Sequence, residues 1–130
     1  MEKNIRLEIF KTAALSRAFE EETYRRIKNK EIGSPVYMSA GQEFISATLA
    51  NVNRKVHPKI FAQHRAHSTY LAFGGDMDKL ILELLGDPRG CAGGKGGSAS
   101  IHCPEISMYG HDGLMGSQVP IGVGHCFVTR

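Results

Sequence analysis

The chain has 130 residues, with 16 Lys+Arg against 13 Asp+Glu and so a formal charge of +3. At 42% hydrophobic and 22% charged residues it is too apolar for a disordered chain, and it has no apolar run of about 18 residues to cross a bilayer. Its basic residues are interleaved with acids rather than gathered into a nucleic-acid stripe. The length suffices for one domain with its own core, so residues 1–130 are assigned to a single domain without internal boundary.

Residues Ile5 to about Lys30 predict one long helix, because Ile5, Ile9 and Ala13, then Phe10, Ala14 and Ala18, then Leu15 and Phe19 recur at three- and four-residue spacing. Its last third is polar, with Glu21–Arg25 and Glu22–Arg26 at the i,i+4 spacing of ion pairs. Gly33 is expected to supply a left-handed cap, and Pro35 cannot continue the helix. The chain enters this amphipathic pattern without an apolar signal core, and its three cysteines fit no disulfide framework. A reducing, cytoplasmic setting is expected.

Ser39-Ala-Gly-Gln42 has the form of a capping box and predicts a second helix through Val52, apolar nearly all round and therefore buried. Lys59–Gln63 is short and lacks a helical period, as a strand of a parallel sheet does. It runs into His64-Arg65-Ala66-His67, at the strand end where open α/β sheets bind ligands. A third helix is expected from Asp76 to Leu85, with Leu80, Ile81, Leu84 and Leu85 on its apolar side and Gly86 and Pro88 at its end. Beyond it little regularity is expected: 13 of the 15 glycines lie after Phe73.

The loop Gly90-Cys-Ala-Gly-Gly-Lys-Gly-Gly97 offers close-approach backbone and one cation to a phosphate, but it fits neither a Walker A motif nor a strand-linked dinucleotide fingerprint. Cys91, His102, Cys103, His111, His125 and Cys126 lack the paired spacing of a zinc site, and Cys91 and Cys126 read as half-buried apolar residues. No metal ligand is assigned. The His64 to His67 tetrad puts one permanent charge and two tunable donors at one spot, a seat for an anion or simply a solvated strand end.

Five motifs stand in one order: Gly41-Gln-Glu43, Phe61-Ala-Gln-His-Arg-Ala-His67, Leu82-Glu-Leu-Leu-Gly86, Gly90 to Ser98, and Gly113-Leu-Met-Gly-Ser-Gln-Val-Pro120. In that order, from about Ile5 to Gly124, the chain resembles the alpha subunit of the thiamine-diphosphate-dependent 2-oxo acid dehydrogenases, a group that includes pyruvate, branched-chain and acetoin enzymes. The resemblance implies an α/β fold, here an incomplete thiamine-diphosphate-binding fold with a parallel sheet flanked by helices, a helix-rich first half and glycine-rich loops in the second. It implies thiamine diphosphate held between this chain and a beta subunit, a heterotetramer, and acyl transfer to the lipoyl group of an acyltransferase.

By the same resemblance Arg65 and His64 contact the diphosphate, and His67 orients phosphate or intermediate as the catalytic histidine. Gly113 and Met115 contact the aminopyrimidine, Met115 from beneath the bent cofactor. Tyr37 and Ser100 stand where many pyruvate enzymes carry histidine, which leaves the substrate open. Mg2+ is expected for the family, but its Gly-Asp-Gly and Asn signature is not among these residues, and Asp112 reads as a turn residue rather than a ligand. The chain alone is therefore expected to be inactive. A non-catalytic interaction module and a simple anion- or nucleotide-binding domain are the other readings.

Overall fold

A computed structural model describes residues 3–53 and 55–129. The expected long helix is present as α1 (Lys3–Lys28). Its buried face runs Ile9, Ala13, Ser16, Glu20, Thr23, so the helical period continues with polar residues through the part expected to face water. Phe10 and Leu15, counted in the apolar stripe, are exposed. Glu22 pairs with Arg26 at 2.8 Å as expected, but Arg25 turns to Glu22 (2.6 Å) rather than to Glu21. The left-handed cap is Lys30 (φ 61°), not Gly33. The amide of Glu31 reaches the Arg26 carbonyl (2.9 Å) and that of Lys30 the Ile27 carbonyl (3.0 Å), the paired bonds of a Schellman ending.

The second helix, α2 (Glu43–Asn53), begins later than the capping box predicts. Ser39 is buried and its hydroxyl is spent on Glu20 (2.6 Å), leaving Glu43 to satisfy the helix start by accepting from the Gly41 amide (2.9 Å). Arg17 of α1 holds the same carboxylate at 2.6 Å and, with the Gly41 amide, keeps it below the usual carboxylate range. The expectation of a buried α2 is corrected. Only Glu43, Ser46, Ala47 and Ala50 are covered, while Phe44, Ile45, Leu49 and Val52 are more than half exposed.

Strand β1 (Ile60–Gln63) forms as predicted and leads into α3 (His67–Ala72), a short helix with no forecast. Helix α4 (Met77–Leu84) follows, capped by the Asp76 carboxylate, which accepts from the Asp78 (2.8 Å) and Lys79 (3.2 Å) amides. Leu80 and Leu84 are buried and Leu85 is exposed. The glycine-rich half is more regular than expected: a 3-10 turn (Pro104–Ile106), strand β2 (Met108–Asp112) and helix α5 (Gln118–Val128) lie in it.

β1 and β2 pair in parallel, Phe61 opposite Gly110 and Gln63 opposite Asp112, with an irregularity after Ile60. The fold is thus helix-rich with a small parallel sheet, of the α/β kind. The main core joins Phe19, Tyr70, Leu80, Ile101 and Met108, and a smaller cluster of Ile9, Ala13 and Ala47 locks α1 to α2. Among the described residues no helix is long and apolar enough to cross a membrane.

Candidate functional site

The carboxyl end of β1 meets the turn after β2. There the His64 ring stacks on Tyr37, with centroids 4.5 Å apart and planes at 21°. Gln63 meets the His64 ring at Nδ1 and donates to the Gly113 carbonyl (3.3 Å). A Cβ on Gly113 would sit 3.3 Å from His64 Cδ2, a tight contact that the ring would have to yield to by a few tenths of an ångström. Arg65 follows with φ 73°, a left-handed conformation that costs a side-chain-bearing residue about 1–2 kcal/mol. Its side chain is exposed and, among the described residues, pairs with no carboxylate. A free guanidinium and an imidazole donor at one strand end form an anion-seeking pair.

His67 lies behind this pair, fully buried at the start of α3. Its Nδ1 faces Glu20 Oε1 (3.1 Å) and its Nε2 faces Ser98 Oγ (2.8 Å). Glu20 Oε1 also accepts from the Ser39 amide (2.8 Å) and hydroxyl (2.6 Å). Burial pushes the Glu20 carboxyl up, but His67 and Ser39 outweigh it and hold the group below its ordinary range, ionised. Distances alone give a serine–histidine–glutamate relay. Ser98 is nevertheless 1% exposed and its oxygen accepts from the Tyr37 amide (2.8 Å), so the hydroxyl has no path to a substrate. The relay ties α1, α3 and the glycine loop together beneath His64.

The glycine loop does not face a phosphate. Its amides converge on Glu83 of α4: Ala92 (2.7 Å) and Gly94 (2.9 Å) donate to Oε2, Gly96 (2.8 Å) and Gly97 (2.9 Å) to Oε1. The phosphate cradle considered for this loop is therefore corrected to a nest for the protein's own carboxylate.

The sequence profile of the family described as "Dehydrogenase E1 component" matches residues 11–130. The chain belongs to that family. As an E1 chain it corresponds to an N-terminal portion of an alpha subunit. It is 34% identical over 125 residues to the mitochondrial pyruvate dehydrogenase E1 component subunit alpha-1 of Arabidopsis thaliana, covering 95% of this chain and 32% of that protein. The E1 alpha subunit of Rickettsia conorii is 34% identical over 121 residues, covering 93% of this chain and 37% of the relative. That of Pisum sativum is 34% identical over 122 residues, with 93% and 30% covered. The chain thus spans about a third of the length of the relatives it matches.

Of the residues singled out in this E1 chain, His64, Arg65 and Gly113 come together at the strand ends, His67 is interior, and Met115 stands 85% exposed on the turn beyond. Asp112 anchors that turn, accepting from the Leu114 amide (2.9 Å), Ser117 hydroxyl (2.8 Å) and Gln118 amide (2.5 Å). Among the described residues no group of three or more His, Cys, Asp or Glu is placed to hold a metal. Cys103 is buried and Cys91 partly so, where burial pushes the Cys91 thiol up to about 11, whereas Cys126 is exposed, against expectation.

Sequence reasoning missed Glu20, Glu83 and Ser98. Two of the three carried a signal: Glu20 continues the Ile9, Ala13, Ser16 period, and Glu83 sits between Leu80 and Leu84 on the buried side of α4.

Proposed function

We propose that this chain is part of the alpha subunit of a thiamine-diphosphate-dependent dehydrogenase that oxidatively decarboxylates a 2-oxo acid, or cleaves acetoin, with acyl transfer to a lipoyl-bearing acyltransferase. The observation that carries this reading is the free Arg65 and His64 pair at the end of β1 opposite Gly113, in a chain that matches the E1 family over residues 11–130. The donor set suits a diphosphate: Arg65 would oppose its charge, and a ring N–H of His64 would donate to one of its oxygens. Met115 and the Gly113 backbone would hold the aminopyrimidine. His67, expected as the catalytic histidine, is fully buried with both ring nitrogens engaged by Glu20 and Ser98, and in this proposal it is instead a positioning residue that fixes the start of α3 just past Arg65.

The cofactor, when bound, supplies the carbanion chemistry that releases carbon dioxide. Magnesium is expected to accompany the diphosphate in the family, and none of the described residues is assigned to hold it. In this proposal the 130-residue chain is inactive by itself and works with a beta subunit in a heterotetramer. Turnover of pyruvate, 2-oxobutyrate or acetoin by the isolated chain would refute that. The exposed apolar residues of α2 and α5 favour, as a second reading, a non-catalytic subunit that only packs against such a partner.

Calorimetry separates the two readings. Thiamine diphosphate should bind the chain, and Arg65→Ala, which keeps the left-handed strain but removes the charge, should weaken binding by about 1.5–3 kcal/mol. Unchanged affinity in Arg65→Ala would overturn the site. Co-purification with a beta-type partner and no cofactor affinity would leave the second reading. Tighter binding of ATP or inorganic phosphate than of thiamine diphosphate would point instead to a simple anion- or nucleotide-binding domain.

A further inference from the structure

Glu83 is a buried charge with no cationic partner among the described residues. A carboxylate in that position is tolerated only if its lone pairs are filled, and here four loop amides fill them. Burial pushes the Glu83 carboxyl up, but the amides of Gly94, Ala92, Gly97 and Gly96 more than offset this and hold it below the ordinary value of 4.5. The loop sequence is shaped to this one side chain. A Cβ on Gly90 would lie 2.5 Å from Glu83 Oε2 and 2.6 Å from its Cα, so glycine is required for the backbone to close on the carboxylate. Gly94 combines φ +72° with a Cβ position only 2.6 Å from the Asp87 carbonyl oxygen.

The nest also points somewhere. The residue directly after it is Ser98, whose oxygen accepts the Tyr37 amide and meets His67 Nε2, each at 2.8 Å. Tyr37 then carries the His64 ring by stacking, and His67 stands two residues past Arg65. We infer that Glu83 is a positioning residue for the site at the end of β1: its carboxylate sets the glycine loop, the loop sets Ser98, and Ser98 sets Tyr37 and His67 and through them His64 and Arg65. This rests on the reading of that site as a diphosphate seat.

The test uses the chain with thiamine diphosphate as the titrated probe. Glu83→Gln keeps the volume but removes the charge and replaces one acceptor oxygen with an NH2 group. It should lose hydrogen-exchange protection at Ala92, Gly94, Gly96, Gly97 and also at Tyr37, and should weaken thiamine diphosphate binding five-fold or more. Ser98→Ala cuts the same route one step later, and remains informative where Glu83→Gln does not fold. It should deprotect Tyr37 and weaken binding while leaving the four loop amides protected. Leu80→Val, in the core of the same helix, should lower thermal stability without changing affinity.

Equal loss of affinity in Leu80→Val would reduce the effect to general destabilisation and overturn the inference. So would Tyr37 protection that survives in both Glu83→Gln and Ser98→Ala. If the unaltered chain binds no thiamine diphosphate, the diphosphate reading fails, and Tyr37 protection alone decides the coupling.

Discussion

Lys30 and Arg65 are both held in the left-handed region, but they do different work. Lys30 only turns the chain out of α1, so Lys30→Gly should stabilise the protein by about 0.5–1 kcal/mol in urea unfolding, with diphosphate affinity unchanged. Arg65→Gly should relieve the same kind of strain yet weaken diphosphate binding, the signature of strain kept for a site. If Arg65→Gly changed stability and left binding intact, that strain would have no functional meaning. His111 carries a separate prediction. It is buried and accepts from the Ile101 amide at Nδ1 (2.8 Å), while its Nε2 has no hydrogen-bond partner among the described residues. Burial, with His67 and His64 nearby, pushes it from 6.5 down to about 4. The unfolded chain therefore binds the extra proton first, and stability falls as pH drops from 6.5 towards 4. His111→Gln should flatten the dependence of thermal midpoint on pH across that interval, and an unchanged slope would assign it to another group.

At the scale of elements, what was legible followed local physics. α1 and α4 have apolar periods, α4 with readable ends and α1 with its cap three residues before the glycine that signalled it, and β1 is a short apolar run leading to a polar tetrad. β2 was hidden because Met108-Tyr-Gly-His-Asp112 mixes a glycine and a carboxylate into a strand made by its partner rather than by its own propensity. α3, with six residues, is too short to show a period. α5 has no polar face, carries Pro120 in its first turn and contains Gly122 and Gly124, each costing a helix about 1 kcal/mol. The pair His64 and Arg65 was visible as donors at a strand end, whereas Tyr37, Ser98 and Glu83 join the site only through long-range packing. α5 buries none of its residues, and α4 buries three of eight. Amides of α5 should exchange with solvent well before those of α4, and equal protection would mean that α5 is held more firmly than its packing indicates.

Across the whole molecule the interior is more polar than a 42% hydrophobic composition leads one to expect. Glu20, Glu83, His67, Ser39 and Ser98 are all essentially inaccessible. Both buried glutamates are held below 4.5, so their contribution is complete above that value and is lost as pH falls through their lowered folded-state values. Acid unfolding should therefore steepen below pH 4.5 even in His111→Gln, as followed by circular dichroism. A transition confined to higher pH would show that these carboxylates are not the groups that fail.

The parallel pairing of β1 with β2 also ties the site to a distant closure of the chain. The side chains of Lys59 and Ser107 meet across 48 residues of chain, so the sheet forms only after that long loop has closed. α1 and α2 meet in the Ile9, Ala13 and Ala47 cluster, a closure of comparable span. The strand ends that carry His64 and Gly113 thus depend on a closure across the middle of the chain and not on local structure alone.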